Sequence, residues 1–373
     1  MSFGKRLRKK VIILNLSTSF DGLTFANPLM PAAGPLNGDL EKLRFLVNQG
    51  CGGIVTKTIS KEMPKIPKPC IYGDKTFIMN SELWSEISYE VWVNYILPEF
   101  VKDKDRPLII SLGYTKEDME FLVPKVDAYA DAYEISTHYV GTNLDVIKET
   151  VKAIRKNTIK PIYMKISPHI PNPEGFAKAI KEAGANGVVA INSLGPTMKI
   201  DISKRSIIYG NDKGFVWTSG PAIKPIALAT VYKIKQAEPS LTVIGVGGIK
   251  SADDVLEFLL AGASAVQMLS AALLQGKELY SKIISDLPVA LKKYGFSSIE
   301  DVVNHGLNKE VVYKQSLPVL DRDKCIDCML CQKICPYFAI DYPGVITFNP
   351  EKCFECGLCI AKCPTGAISY SKR

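Results

Sequence analysis

C325-I-D-C-M-L-C-Q-K-I-C335, closed by Pro336, and C353-F-E-C-G-L-C-I-A-K-C363, closed by Pro364, are one spacing written twice, C-x2-C-x2-C-x3-C-Pro. Three closely spaced thiolates can grip one iron–sulfur cluster while the fourth, set apart before a proline, reaches across to the neighbouring one. The spacing therefore assigns Cys325, Cys328, Cys331 and Cys363 to one [4Fe-4S] cluster, and Cys353, Cys356, Cys359 and Cys335 to a second. Zinc or disulfides are the competing uses of so many cysteines. Zinc sites seldom show two full quartets at this spacing, and of ten cysteines only Cys51 and Cys70 remain, too few for a disulfide framework. Such clusters only relay single electrons, so the residues upstream are expected to hold the redox centre they serve.

Upstream, eight apolar strand-like runs alternate with amphipathic helical ones. The runs are Leu29–Ala33, Gly53–Lys57, Pro107–Gly113, Ala132–Ser136, Pro161–Ile166, Gly187–Asn192, Thr242–Gly247 and Ala265–Met268. Helices are expected to start near Asp39, Ser85, Thr115, Asn143, Asn172, Ala222, Ser251 and Gly276, several with a capping side chain. The pattern predicts an α/β fold, a (β/α)8 TIM barrel over residues 1–305, then a linker over 306–320. Residues 321–373 would form a small α+β domain of the bacterial ferredoxin type. Ahead of the barrel, I12-I-L-N-L and G22-L-T-F read as two short strands turning at Asp21-Gly22.

The formal charge of +8 over 373 residues counts cysteines as neutral. Two oxidised clusters at about −2 each bring it to about +4, a weak argument for nucleic acid, and none is expected as a partner. The Lys5 to Lys10 basic run reads as a solvated tail, and the apolar stretch behind it is too short for a signal core or a membrane span. The longest apolar tract, Phe258 to Leu274, is broken by polar residues and reads as a buried strand between two helices. A reducing cytoplasm is the expected location.

In a barrel of this kind chemistry sits at the carboxyl ends of the strands, and loops after strands seven and eight commonly hold a phosphate. Gly245-Val246-Gly247-Gly248 closes strand seven, and Ser251 opens the helix behind it. Glycines let backbone N–H groups approach a phosphate, although a tight turn without a ligand needs the same residues. Strand two ends in Thr56-Lys57-Thr58, strand five in Lys165, and strand six in Asn192-Ser193.

Taken together, N27-P-L-M-P-A-A-G34, G53-I-V-T-K-T58, A190-I-N-S193, G245-V-G-G-I249 and G262-A-S-A-V-Q-M-L-S270 resemble the FMN-dependent dihydroorotate dehydrogenase family. N80-S-E-L-W-S-E86, G220-P-A-I-K-P-I-A227 and the appended cluster domain look more like its dihydropyrimidine dehydrogenase branch. The resemblance implies that Ala32, Ala33, Gly34 and Thr58 line a flavin, and that Gly220, Gly247, Gly248, Leu269 and Ser270 hold its phosphate side. It implies that Lys165 faces the ring and that Lys57 lies between flavin and substrate. Asn80, Asn192 and Ser193 match residues that bind a pyrimidine ring, a task suited to amides, which donate and accept side by side.

The loop E134-I-S-T-H-Y139 departs from the family pattern, which has Asn at 134, a cysteine or serine proton carrier at 137 and Pro at 138. Thr137 is the positional candidate for the carrier and His138 the chemical one, because a threonine hydroxyl does not ionise near neutrality. Cys70, Tyr139 and His169 are further candidates. If Glu82 and Glu134 both face the pocket, an uncharged ring suits it better than an anion; alternatively Glu134 pairs with Lys57 or Lys165.

The expected activity is interconversion of a pyrimidine-like ring and its 5,6-dihydro form, using FMN and two [4Fe-4S] clusters. The alternative is dihydroorotate oxidation, or a related barrel acting on another unsaturated substrate. With no strand–GxGxxG–helix unit in the sequence, the expected electron partner is a flavoprotein subunit or a ferredoxin. A small cyclic substrate and a homo-oligomer are also expected.

Overall fold

Eight short strands build the parallel sheet of the first unit in this computed structural model, which describes residues 14–307 and 316–370. They are β1 (Leu29–Pro31), β2 (Ile54–Val55), β3 (Leu108–Leu112), β4 (Ala132–Ser136), β5 (Ile162–Ile166), β6 (Gly187–Ala190), β7 (Thr242–Val246) and β8 (Ala265–Met268). Every one is buried along its length, as expected for strands covered on both faces. The order around the sheet is β1-β8-β7-β6-β5-β4-β3-β2, so chain neighbours are also spatial neighbours. The seam between β1 and β2 is stitched by side chain as well as backbone. Gly52 N–H donates to the Leu29 carbonyl at 2.9 Å, and the buried Asn37 amide donates to the carbonyls of Ala32 and Val55 at 3.1 and 2.6 Å.

Helices α1 (Leu40–Asn48), α2 (Leu97–Val101), α3 (Lys116–Val126), α4 (Asp145–Arg155), α5 (Pro173–Glu182), α6 (Lys224–Ala237), α7 (Ala252–Leu260) and α8 (Leu279–Tyr294) cover the outside. Asp39, Thr115, Asn172 and Ser251 cap α1, α3, α5 and α7 by accepting from the backbone N–H three residues on. No helix starts at Ser85. Its hydroxyl accepts from the Trp92 indole and donates to the Ile87 carbonyl, which holds a loop there, and helical turns begin only at Tyr89. Gly276 ends a short helix, Ser270–Gln275, and α8 follows at Leu279.

The hairpin ahead of the barrel turns at Asp21-Gly22, both at positive φ, but its first strand is Thr18–Phe20 and does not include residues 14–16 of the expected run, whose Ile12 and Ile13 lie outside the described residues. A two-residue turn pairs only the residues that flank it directly. Its apolar side chains Phe20, Leu23 and Phe25 close the amino end of the barrel, where Phe25 joins Met30, Val55, Ile109, Ala132, Tyr163, Val189, Ile244 and Ala265 in the interior. The tract from Phe258 to Leu274 is the strand between two helices that its interruptions predicted. No helix among the described residues is long and apolar enough to cross a membrane.

The second compact unit follows Leu307. It contains antiparallel pairs Pro318–Leu320 with Ile368–Tyr370 and Ile340–Asp341 with Thr347–Phe348, and short helices Leu330–Ile334 and Leu358–Lys362. The basic run at Lys5 to Lys10 and the core of the expected linker lie outside the described residues.

Candidate active site

Alternation along the strands decides which polar groups face inward. Val55, Ala132, Tyr163 and Ala265 point into the barrel, so two residues on, nearer the carboxyl end, Lys57, Glu134, Lys165 and Gln267 do too. These four form a buried polar layer above the apolar interior. Lys165 Nζ donates to Glu134 Oε1 at 3.0 Å, and Gln267 Nε2 donates to Glu134 Oε2 at 2.7 Å. Glu134 is thus the partner of Lys165 and does not reach the cavity above. Lys57 Nζ is held by Glu82 at 2.7 Å and Glu86 at 2.5 Å. Burial raises the Glu82 carboxyl above its ordinary range despite that lysine. For the more exposed Glu86 burial acts the same way, but the Lys57 contact together with backbone and Glu82 hydrogen bonds brings the net direction down.

Above this layer lies a cavity of about 390 Å³ at the carboxyl ends of the strands. Its wall brings together Ala32, Ala33, Gly34, Thr58, Lys165, Gly247, Gly248, Leu269 and Ser270 with Asn80, Glu82, Asn192, Ser193 and His138. Lys57, Glu134, Thr137 and Gly220 are not in the wall. Lys57 and Glu134 are consumed by the ion pairs beneath it. Thr137 falls on the opposite parity to Glu134 and Ser136, and its hydroxyl accepts only a long contact from Tyr139 N–H. Gly220 supports the glycine turn from behind: a Cβ on Gly248 would come within 2.9 Å of its carbonyl and 2.7 Å of Lys224 Cβ.

Gly247 and Gly248 sit at φ +128° and +82°, so any side chain there is strained as well as crowded. The amide ends of Asn80 and Asn192 are oriented by their own loops, through Glu82 N–H to Asn80 Oδ1 and Ser193 N–H to Asn192 Oδ1. These loops exchange strands in an antiparallel sheet, Leu194–Thr197, Val216–Ser219, Ile78–Asn80 and Ile71–Gly73, that pairs Trp217 with Asn80. Strands this short inside long loops left no periodicity to read. Sequence reasoning also missed Gln267, Ser136, Trp84, Tyr114 and Trp217 as wall residues. The inward parity of Gln267 and Ser136 with Ala265 and Glu134 was the available signal; for Trp84 and Tyr114 there was none.

In the second unit, Cys325, Cys328, Cys331 and Cys363 surround one hollow, and Cys335, Cys353, Cys356 and Cys359 surround another. Among the described residues no three His, Cys, Asp or Glu side chains converge on a single ion. Two quartets spread around hollows suit a multi-atom cluster better than one zinc. The loops wrap each hollow alike, with positive φ at Asp327, Met329 and Phe338 in the first repeat and at Glu355, Gly357 and Gly366 in the second. Ala339 and Ala367 N–H donate to Cys335 and Cys363 Sγ.

A ligand cavity at the carboxyl ends of a parallel barrel, in one chain with a two-quartet cysteine unit, defines an iron–sulfur oxidoreductase of the (β/α)8 class. Residues 15–291 match the model of the family described as dihydroorotate dehydrogenase, and residues 324–367 match the 4Fe-4S dicluster domain. Among relatives, the protein named dihydroorotate dehydrogenase B (NAD(+)), catalytic subunit, from Pyrococcus horikoshii is 36% identical over 305 residues, 78% of this chain and 98% of its own length. Proteins of the same name from Oceanobacillus iheyensis and Geotalea daltonii are 33% and 32% identical over 303 residues, 78% of this chain and 98% and 97% of theirs. The chain belongs to the dihydroorotate dehydrogenase family and is an oxidoreductase acting on CH–CH bonds. These relatives bear the name dihydroorotate dehydrogenase B, not one of the dihydropyrimidine branch.

Proposed function

We propose that this chain interconverts a CH–CH bond and a C=C bond in a pyrimidine-type ring, with FMN in the barrel cavity and two [4Fe-4S] clusters passing electrons to a partner. The observation that carries this reading is a single cavity that combines a glycine cradle, amide-bearing loops and a buried lysine. The residues fit a flavin on two counts. Gly247 and Gly248 give the wall a positive-φ turn of the kind a phosphate cradle needs, with no room for a side chain against Ala227 and Lys224, and Gln267 Oε1 is a buried acceptor in the cavity wall with no partner among the described residues, as a ligand N–H would require. When bound, the flavin accepts hydrogen together with an electron pair and hands electrons on singly.

Ala32, Ala33, Gly34 and Thr58 would hold the ring, Gly247, Gly248, Leu269 and Ser270 the phosphate, and Asn80, Asn192 and Ser193 the substrate. Lys57 acts at one remove, by fixing Glu82. The names of the relatives make dihydroorotate the leading substrate, with the electron partner a flavoprotein subunit or a ferredoxin. A specific observation favours a second reading, an uncharged dihydropyrimidine. Among the described residues Lys165 is the one cation in the cavity wall and is paired with Glu134, whereas Glu82 adds a carboxyl, so a substrate carboxylate finds no free positive charge there.

Anaerobic mixing of the FMN-loaded protein with dihydroorotate, dihydrouracil and dihydrothymine separates the readings. Flavin bleaching by dihydroorotate alone supports the first, and bleaching by the uncharged rings alone supports the second. Bleaching by none, or a protein that retains no FMN, sinks both.

A further inference from the structure

We propose that His138 is the residue that exchanges the proton with the substrate ring. The inference rests on the reaction class above and names a carrier for it. For a dihydro ring the step balances as follows: one C–H bond breaks and its proton goes to the unprotonated nitrogen of His138. The adjacent carbon releases its hydrogen with both electrons to the flavin, and the two carbons close the double bond.

The geometry is selective. His138 joins the cavity wall from a left-handed backbone, at φ 53°, a conformation uncommon outside glycine. Its ring stacks on Trp84 at 5.6 Å and 24°, and lies edge-on to Tyr114 at 6.2 Å, so its position is fixed by packing. Neither ring nitrogen makes a hydrogen bond to another described residue, which leaves both for a ligand.

The rivals are engaged or misplaced. Thr137 is outside the wall, His169 Nε2 already accepts from Gly195 N–H at 3.1 Å, and the Tyr139 hydroxyl donates to the Asn143 carbonyl at 2.5 Å. Cys70 is outside the wall, and burial, then Glu82, raises its thiol further from ionisation. Ser136 is in the wall, but a serine hydroxyl cannot keep a proton-accepting form near neutrality without a neighbouring base. The charged groups on the cavity wall with His138 are Lys165, paired with Glu134 on β4, and Glu82, paired with Lys57; Tyr114 adds a hydroxyl. Desolvation where the ring packs on Trp84 and Tyr114, and then Lys165, hold the histidine below its ordinary value although the residue as a whole is exposed, a direction that favours the proton-accepting form.

The test pairs His138→Asn with Thr137→Ala in the full-length protein loaded with FMN and clusters. Asparagine tolerates the left-handed backbone, so folding is preserved. His138→Asn is expected to slow flavin reduction by a factor of roughly 10² to 10⁴ and to remove the limb that rises with pH, while Thr137→Ala changes the rate by less than about threefold. A second measurement does not depend on turnover. With three histidines in the chain, the ring resonance that vanishes in His138→Asn should titrate below the ordinary histidine midpoint and shift when orotate or uracil is added. A large loss in Thr137→Ala with a normal His138→Asn overturns the assignment, as does a His138 resonance indifferent to either ring. If wild-type flavin is reduced by no dihydro ring, the reaction class itself falls and His138 with it; a normally reduced wild type with an equally fast His138→Asn removes His138 alone.

Discussion

The two units solve the problem of enclosing redox chemistry in opposite ways. The barrel fills its interior with side chains from the hairpin and all eight strands, and spends only the last inward layer on polar groups. The core cluster of the small unit has five buried residues, Cys331, Ile340, Ile346, Cys359 and Ile368, and two of those are thiols of the quartets. The barrel can therefore fold around itself, whereas the cysteine unit is a shell around two hollows. Small cores of this kind usually need a metal to be stable.

The largest test of that contrast is removal of iron by chelator under oxidising conditions, or Cys359→Ser. Calorimetry should show the transition of the small unit abolished and that of the barrel shifted by no more than a few degrees. A barrel transition that vanishes with it would break the comparison. Within the barrel, the polar layer should be the sensitive part. Glu134→Ala leaves Lys165 buried with no counter-charge, and urea unfolding should show a loss of about 3–5 kcal/mol, as is usual when one partner of a buried pair is removed. A loss under about 1 kcal/mol would mean that water reaches the pair.

Gly248→Ala sharpens the comparison at the cradle. With φ at +82° and backbone behind it, alanine is expected to weaken FMN binding at least about tenfold by fluorescence titration, with cluster content unchanged. The smallest effect concerns pH. A raised Glu82 value means that the folded state keeps a proton the unfolded chain has lost, so stability is full below the ordinary carboxylate value and falls as pH rises through the raised one. Glu82→Gln should flatten that fall. A slope unchanged by the substitution would place its origin elsewhere.

Most of the architecture was readable because strand and helix periods are local. All eight strands lie within the runs predicted for them, and Asp39, Thr115, Asn172 and Ser251 cap where their side chains suggested. The failures share a cause. Ser85 looks like a cap, but its hydroxyl is taken by Trp92, seven positions on. Lys57 and Glu134 occupy positions the family resemblance reserves for flavin and substrate, yet each is satisfied by a charge from another loop or strand.

The eightfold alternation, the doubled cysteine spacing and the family are legible from the chain alone, because each is a pattern along it. Which charges cancel depends on the folded arrangement. Lys165 meets Glu134, and Lys57 meets Glu82 and Glu86, across distances in sequence that no local rule spans. The fold also places His138 and not Thr137 in the cavity wall, from a left-handed backbone. Strand register and loop conformation set the field that a substrate meets, and both depend on how the whole barrel closes.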